Sequence, residues 1–156
     1  MGKGGKVNVQ GLKNFQKNLE EHLNGNELNL FIESCAKELA ARLLAKVIKR
    51  TPVGDYPKST GKKGGTLRRG WTGEKTSSAS VYANSLKVHH FGGTYVIEII
   101  NPVEYASYVE FGHRTRGGDG WVEGKFMMTI SEQEVQRDAP KILENKLKKK
   151  LGECFK

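Results

Sequence analysis

The sequence predicts an α+β fold, with N-terminal helices and a C-terminal helix packed on a small antiparallel sheet. Three observations predict it. A helical period runs from about Glu27 to Lys49, aromatic and β-branched residues cluster between Trp71 and Ile100, and a helical period returns after Lys125. Helices, then strands, then a helix suit a layer of helices on one face of a short sheet. At 156 residues the chain is expected to form a single domain spanning 1–156 with a modest core.

The elements follow in order. Val7 and Val9 alternate with polar neighbours, as in a short edge strand. Leu12, Phe15 and Leu19 share a helical face through about Glu21, and Asn24-Gly25-Asn26 reads as the turn that ends this helix. Between Glu27 and Lys49 the residues Leu28, Phe31, Ile32, Cys35, Leu39, Leu43, Val47 and Ile48 recur by threes and fours. At a rise of about 1.5 Å per residue this helix is roughly 34 Å long and should organise the core through Leu39 and Leu43. Thr51-Pro52 ends it, because the residue before a proline is pushed out of the α region. Residues 54–70 then mix Gly54, Gly61, Gly64, Gly65 and Gly70 with Lys58, Lys62, Lys63, Arg68 and Arg69. No apolar period offsets the backbone entropy there, which predicts a flexible basic loop.

Trp71, Val81, Tyr82, Val88, Phe91, Tyr95, Val96, Ile97, Ile99 and Ile100 supply strand-forming side chains, with Gly92-Gly93 as a hairpin turn. Asn101-Pro102 closes the second strand. Tyr105 to Phe111 is a short apolar stretch, either strand or a single helical turn. A second Gly-rich loop, 112–120, carries His113, Arg114 and Arg116. Phe126, Met127, Ile130 and Val135 restore the helical period. Ser131-x-x-Glu134 reads either as a capping box or as the interior of one continuous helix. Asp138-Ala139-Pro140 suits a restart, followed by the stripe Ile142, Leu143, Leu147 and Leu151.

Charge is uneven. The formal net charge is +9, with nine basic and two acidic residues in 46–75, six and two in 141–156, but five and eight in 76–140. Such asymmetry suits a polyanion, an acidic protein surface, or a lumen that DNA passes through, and also a merely solvated Lys-rich helix end. Two cysteines, Cys35 and Cys154, make neither a zinc site nor a disulfide framework. No stretch reads as a signal peptide or a membrane span, so a protein made and folded in a cytoplasm is expected.

No active site is legible, and a non-enzyme is expected. His89 and His90 are neighbours on a strand and point to opposite faces, so they do not chelate one metal. No Gly-x-Ser-x-Gly elbow occurs. His113 near Glu110 is the best acid–base couple on offer, and paired groups must converge in a cleft to work. No metal or cofactor is expected. The rival reading is a basic nucleic-acid-binding module, in which Lys62, Lys63, Arg68 and Arg69 neutralise phosphates and Trp71 stacks on a base. No helix-turn-helix, zinc finger or RRM signature accompanies them.

Three stretches carry a resemblance. Lys49-Arg50-Thr51-Pro52-Val53-Gly54 leads to Gly65-Thr66-Leu67-Arg68-Arg69-Gly70-Trp71. The second runs Asn101-Pro102-Val103-Glu104-Tyr105-Ala106-Ser107-Tyr108-Val109-Glu110-Phe111-Gly112-His113-Arg114. The third is Gly120-Trp121-Val122-Glu123-Gly124-Lys125-Phe126-Met127-Met128. Together they resemble a family of small phage tail-completion or minor tail components, which extends to defective prophages and contractile tail-like particles. Two departures stand out: residues 55–64 lengthen the first stretch, and Glu123 stands where a proline is expected.

The resemblance implies a structural virion protein near the head-proximal end of the tail, which acts in tail completion or head–tail joining by assembly. Other tail or neck proteins are the expected partners; a head-to-tail contact between copies predicts a homo-oligomeric ring in the particle, the basic loops suit nonspecific contact with DNA, and no stretch is apolar enough to call for a membrane. Residues expected to touch a subunit or partner are Arg68, Arg69, Trp71, Glu110, His113, Arg114 and Arg116. Arg forks there would meet carboxylates or phosphates. Tyr105, Tyr108 and Phe111 would anchor the sheet to the long helix.

Overall fold

The computed structural model describes Asn14, Lys17 and residues 20–153. Asn14, Lys17 and residues 20–22 are helical, in keeping with a first helix through Glu21. The strand expected at Val7 and Val9, and the apolar positions Leu12, Phe15 and Leu19, lie outside the described residues.

Helix α1 spans Gly25–Arg50. Asn24 starts it, its Oδ1 accepting the Glu27 N–H at 3.0 Å and so satisfying one of the orphan donors of the first turn. Pro52 stops it. Thr51 is extended, with φ −68° and ψ 123°, as a residue before proline must be. Residues 54–65 form a loop with one 3-10 turn at Lys58–Thr60. Two short helices follow, α2 at Thr66–Gly70 and α3 at Ala79–Ser85.

Strand β1, His89–Phe91, pairs antiparallel with β2, Thr94–Val96, around Gly92-Gly93, and His90 faces Tyr95. The expected hairpin turn is where the sequence placed it. Helix α4, Ala106–Phe111, runs straight into strand β3, Gly112–Arg114, which pairs with β4, Trp121–Glu123. Helix α5, Met127–Glu153, completes the chain. The α+β class holds, with the strands divided between two separate two-stranded ribbons.

Several local expectations change. Val81 and Tyr82 lie in α3, not in a strand, because Ser78 caps this helix by accepting the Val81 N–H and the helix packs along α1. Part of 54–70 is helical, and 112–120 opens as a strand. Ser131 and Pro140 both sit inside α5, so the helix neither starts nor restarts there. An interior proline costs a helix about 3 kcal/mol, and Pro140 falls at an exposed position beyond Val135, the last buried residue of α5.

The core gathers Ala40, Leu44 and Val47 of α1 with Leu67, Trp71, Ala83 and Met127. Ile97, Ile99, Val103 and Val109 pack on its edge. Leu39 and Leu43 are half-buried, so the centre of the apolar face lies one residue further on than the periodicity suggests. The reason is that α1 is packed from two sides, by α3 and by α5, which widens its apolar face.

Candidate assembly surface

The site is built on a frame at the C-terminal end of α1. Thr51 is buried, and its Oγ1 donates to the Val47 carbonyl at 2.6 Å while accepting from Trp71 Nε1 at 2.7 Å. Its own carbonyl accepts the Arg68 fork, Nε at 3.2 Å and Nη2 at 2.7 Å. A cation at a helix C-terminus offsets the negative end of the dipole, and a two-pronged contact also fixes its angle. Arg50 reaches the other way, to Ser131 Oγ at 2.7 Å and Glu134 Oε1 at 2.7 Å, and Lys46 holds Glu134 Oε2 at 2.9 Å. The hydrogen bonds from Lys46 and then Arg50 hold the Glu134 carboxyl below its usual range.

The second stretch locks onto the first. Asn101 Nδ2 donates to the Leu67 carbonyl at 2.8 Å, and its Oδ1 accepts the Val103 N–H at 3.1 Å. Gly70 has to be glycine here, because a Cβ would run into Asn101 Oδ1. Glu110 is buried and serves α5 from outside that helix. Its carboxylate accepts the Met128 N–H at 2.9 Å, the Thr129 N–H at 2.8 Å and the Thr129 hydroxyl at 2.7 Å. A carboxylate on the first amides of a helix meets both orphan donors and the positive end of the dipole.

The third stretch closes the frame. Lys125 and Phe126 donate their N–H groups to the Val109 and Glu110 carbonyls at 2.7 and 3.0 Å. Gly112 has φ +85°, and a Cβ there would strike the Val122 carbonyl. A Cβ at Gly124 would strike the Glu110 carbonyl. Phe126 is held at φ +47°, a left-handed conformation that a bulky residue adopts only where its surroundings over-determine it.

What this frame presents outward is apolar and cationic. Helical spacing turns Ala106 and Val109 inward, and places Tyr105, Tyr108 and Phe111 on the outer face. Tyr108 and Phe111 are 60% and 62% exposed, and Trp121 on β4 is 55% exposed. Tyr105, Val122, Phe126 and Ile130 are exposed as well. Tyr108 meets the His113 ring edge-on, centroids 5.8 Å apart, and His113 Nδ1 donates to the Arg114 carbonyl at 2.9 Å. Across the ribbon Arg114 stands opposite Trp121 and His113 opposite Val122. Arg114 and Arg116 are exposed with no side-chain hydrogen bond or ion pair among the described residues.

The residues singled out from the sequence therefore divide. Trp71, only 5% exposed, and Arg68 belong to the interior frame, and so does Glu110. Arg69 is exposed but folds back on its own loop, Nη1 to the Gly64 carbonyl at 3.2 Å and Nε to Glu74 at 3.7 Å. His113 and Arg114 are exposed on β3, and Arg116 is exposed in the turn that joins β3 to β4. The supposed acid–base couple does not form, since the Glu110 carboxylate is taken up by α5 and His113 turns to Arg114. Trp71 has no free face to stack on a base. Tyr105, Tyr108 and Phe111, expected as anchors to the long helix, are surface instead. The helical spacing of 105, 108 and 111 was the signal that could have shown it. Thr51 and Asn101 were missed as frame residues. The Thr-Pro at a helix end was the legible hint for the first, and nothing local marks the second.

Comparison with known proteins rests on one match. A family described as "Bacteriophage HK97-gp10, putative tail-component" matches residues 13–112. That span includes α1 to α4 and ends where β3 begins. No curated protein and no solved structure matches the chain. Since the match takes in well over half of the sequence, the chain belongs to the HK97-gp10-like family of phage tail components.

Proposed function

We propose that this chain is a structural component that acts in tail completion or head–tail joining, by contacts rather than catalysis. In this reading its copies close into a ring, and the surface of α4 with the β3–β4 ribbon meets a neighbouring tail or neck protein. One observation carries the proposal. Exposed aromatic side chains, Tyr108, Phe111 and Trp121, lie in the same stretch of chain as Arg114 and Arg116, whose side chains make no hydrogen bond or ion pair among the described residues. Aromatic residues and arginine are the types enriched at protein interfaces, and contiguous apolar surface on a soluble chain marks an interaction site. A head-to-tail contact between identical subunits gives a closed ring when its rotation closes.

The exposed Lys58, Lys62 and Lys63 on the first loop would supply any nonspecific contact with DNA in such a particle. The alternative, a free nucleic-acid-binding module, has less support, because its stacking residue Trp71 is in the core and Arg68 is engaged with Thr51. Electron microscopy of particles assembled with and without the chain tests the proposal. Separate heads and tails, or tails of abnormal length, are expected when it is missing. Complete particles without it, together with strong salt-dependent DNA affinity of the isolated chain, would overturn the proposal.

A further inference from the structure

α1 and α5 run antiparallel. Lys46 and Arg50, late in α1, meet Glu134 early in α5, whereas Glu27 and Phe31, early in α1, share a cleft with Lys146 and Glu153, late in α5. Their close packing is confined to one end. The buried residues are Ala40, Leu44 and Val47 on α1, and Met127, Ser131 and Val135 on α5. Towards the other end no described residue of either helix is buried. The sequence explains why: the inward stripe of α5 continues from Val135 through Ala139 and Ile142 to Lys146 and Lys150, so an apolar seam turns cationic.

The result is a groove along one side of the helix pair, with successive clefts of about 270, 370 and 480 Å³. Its floor is partly apolar, with Leu30 52% exposed and Phe31 and Ile142 half-buried. Eight cations and four carboxylates line it. Three of those carboxylates are committed: Glu38 to Arg42, Glu134 to Lys46 and Arg50, and Glu153 to Lys150. Lys49, Lys141, Lys146 and Lys149 have no carboxylate partner among the described residues.

We propose that this groove docks an acidic amphipathic helix contributed by a partner protein, with its apolar stripe on Leu30, Phe31 and Ile142 and its carboxylates on Lys141, Lys146 and Lys149. A groove between two helices is the shape into which the side-chain ridge of a third helix fits. Lys141 and Lys149 are two turns apart on one row, about 12 Å along the axis, which is the span of carboxylates two turns apart on the incoming helix. Charge complementarity selects an acidic partner, and the apolar floor selects a protein segment over a nucleic acid, whose phosphates gain nothing from Leu30 or Phe31. These residues are distinct from those of the aromatic ribbon, so the inference stands or falls separately from the proposed function.

The test uses the full chain and two fluorescent probes, measured by anisotropy. One is a stapled helix of about 20 residues with Leu on one stripe and Glu flanking it, long enough to fill the groove. The other is a DNA duplex of similar length. The triple variant Lys141→Glu, Lys146→Glu, Lys149→Glu should weaken the peptide at least about tenfold, because like charges then face each other. Leu30→Ser should weaken the peptide about threefold or more and leave any duplex binding unchanged. Circular dichroism checks that both variants keep their helices. A peptide that does not bind, a peptide indifferent to the charge reversal, or a duplex that binds more tightly than the peptide would each overturn the proposal.

Discussion

Thr51, Asn101 and Glu110 show how much of the recognisable sequence is scaffold. Each bridges parts of the chain distant in sequence: Thr51 joins α1 to Trp71 and Arg68, Asn101 joins the end of the β block to α2, and Glu110 joins α4 to α5. Replacing Glu110 by Ala strands the amides of Met128 and Thr129. The expected cost is about 1.5–3 kcal/mol, since hydrogen bonds to a charged group exceed the neutral kind. Glu110→Gln should recover part of this, because an amide oxygen still accepts, and urea denaturation of the three proteins would measure it. Glu134 gives a prediction about pH. Its folded pKa is depressed, by the hydrogen bonds from Lys46 and Arg50, so its contribution to stability is present above the unfolded value near 4.5 and is lost as pH falls through the folded value. Asp138, depressed by Arg137, adds in the same direction. The protein should therefore lose stability below about pH 4.5, and Glu134→Gln should flatten that acid limb. Equal acid limbs in parent and variant would show that the pairs with Lys46 and Arg50 do not persist in solution.

Among the elements, α1 was legible to within two residues at each end, because Asn24-Gly25-Asn26 and Thr51-Pro52 bracket it and the apolar period marks its face. The centre of that face was misplaced, which yields a direct comparison. Leu44→Ala empties a buried position and should cost about 2–5 kcal/mol, whereas Leu39→Ala, at a half-buried position, should cost clearly less in thermal denaturation. The hairpin at Gly92-Gly93 was legible too, for a two-glycine turn between strand formers has few alternatives. The short helices were not. α2 and α3 are five and seven residues long, too short to reveal a period, and the β-branched and aromatic Val81 and Tyr82 argue for strand until packing on α1 overrides them. The ribbon β3–β4 was hidden because its six strand residues include three that look like loop: Gly112, His113 and Arg114. Its position is set by the missing side chain at Gly112. Gly112→Ala forces a Cβ onto the Val122 carbonyl at a positive φ, so it should destabilise the ribbon and raise amide exchange across 112–123 while leaving α1 protected.

At the scale of the whole molecule, the three family-like stretches perform two physical tasks. Their inward residues tie the end of α1 to the start of α5, and their outward residues present Tyr108 and Phe111 on α4, Arg114 and Trp121 on the ribbon, and Arg116 in its turn. The candidate contact residues were only half legible in the sequence for this reason. Residue type marks Arg68 and Arg114 alike, and only tertiary placement shows that one is bonded to Thr51 and the other is free to reach a neighbour. Frame and surface residues should therefore respond in opposite ways to substitution. The triple variant Arg114→Ala, Arg116→Ala, Trp121→Ala removes only exposed side chains, so its stability should stay within about 0.5 kcal/mol per site of the parent. The most direct measurement is a particle-assembly complementation assay with that variant, after its unfolding curve has been shown to match the parent. A folded protein that fails to enter particles or leaves tails unjoined is expected, and full assembly by the triple variant would show that these side chains make no assembly contact.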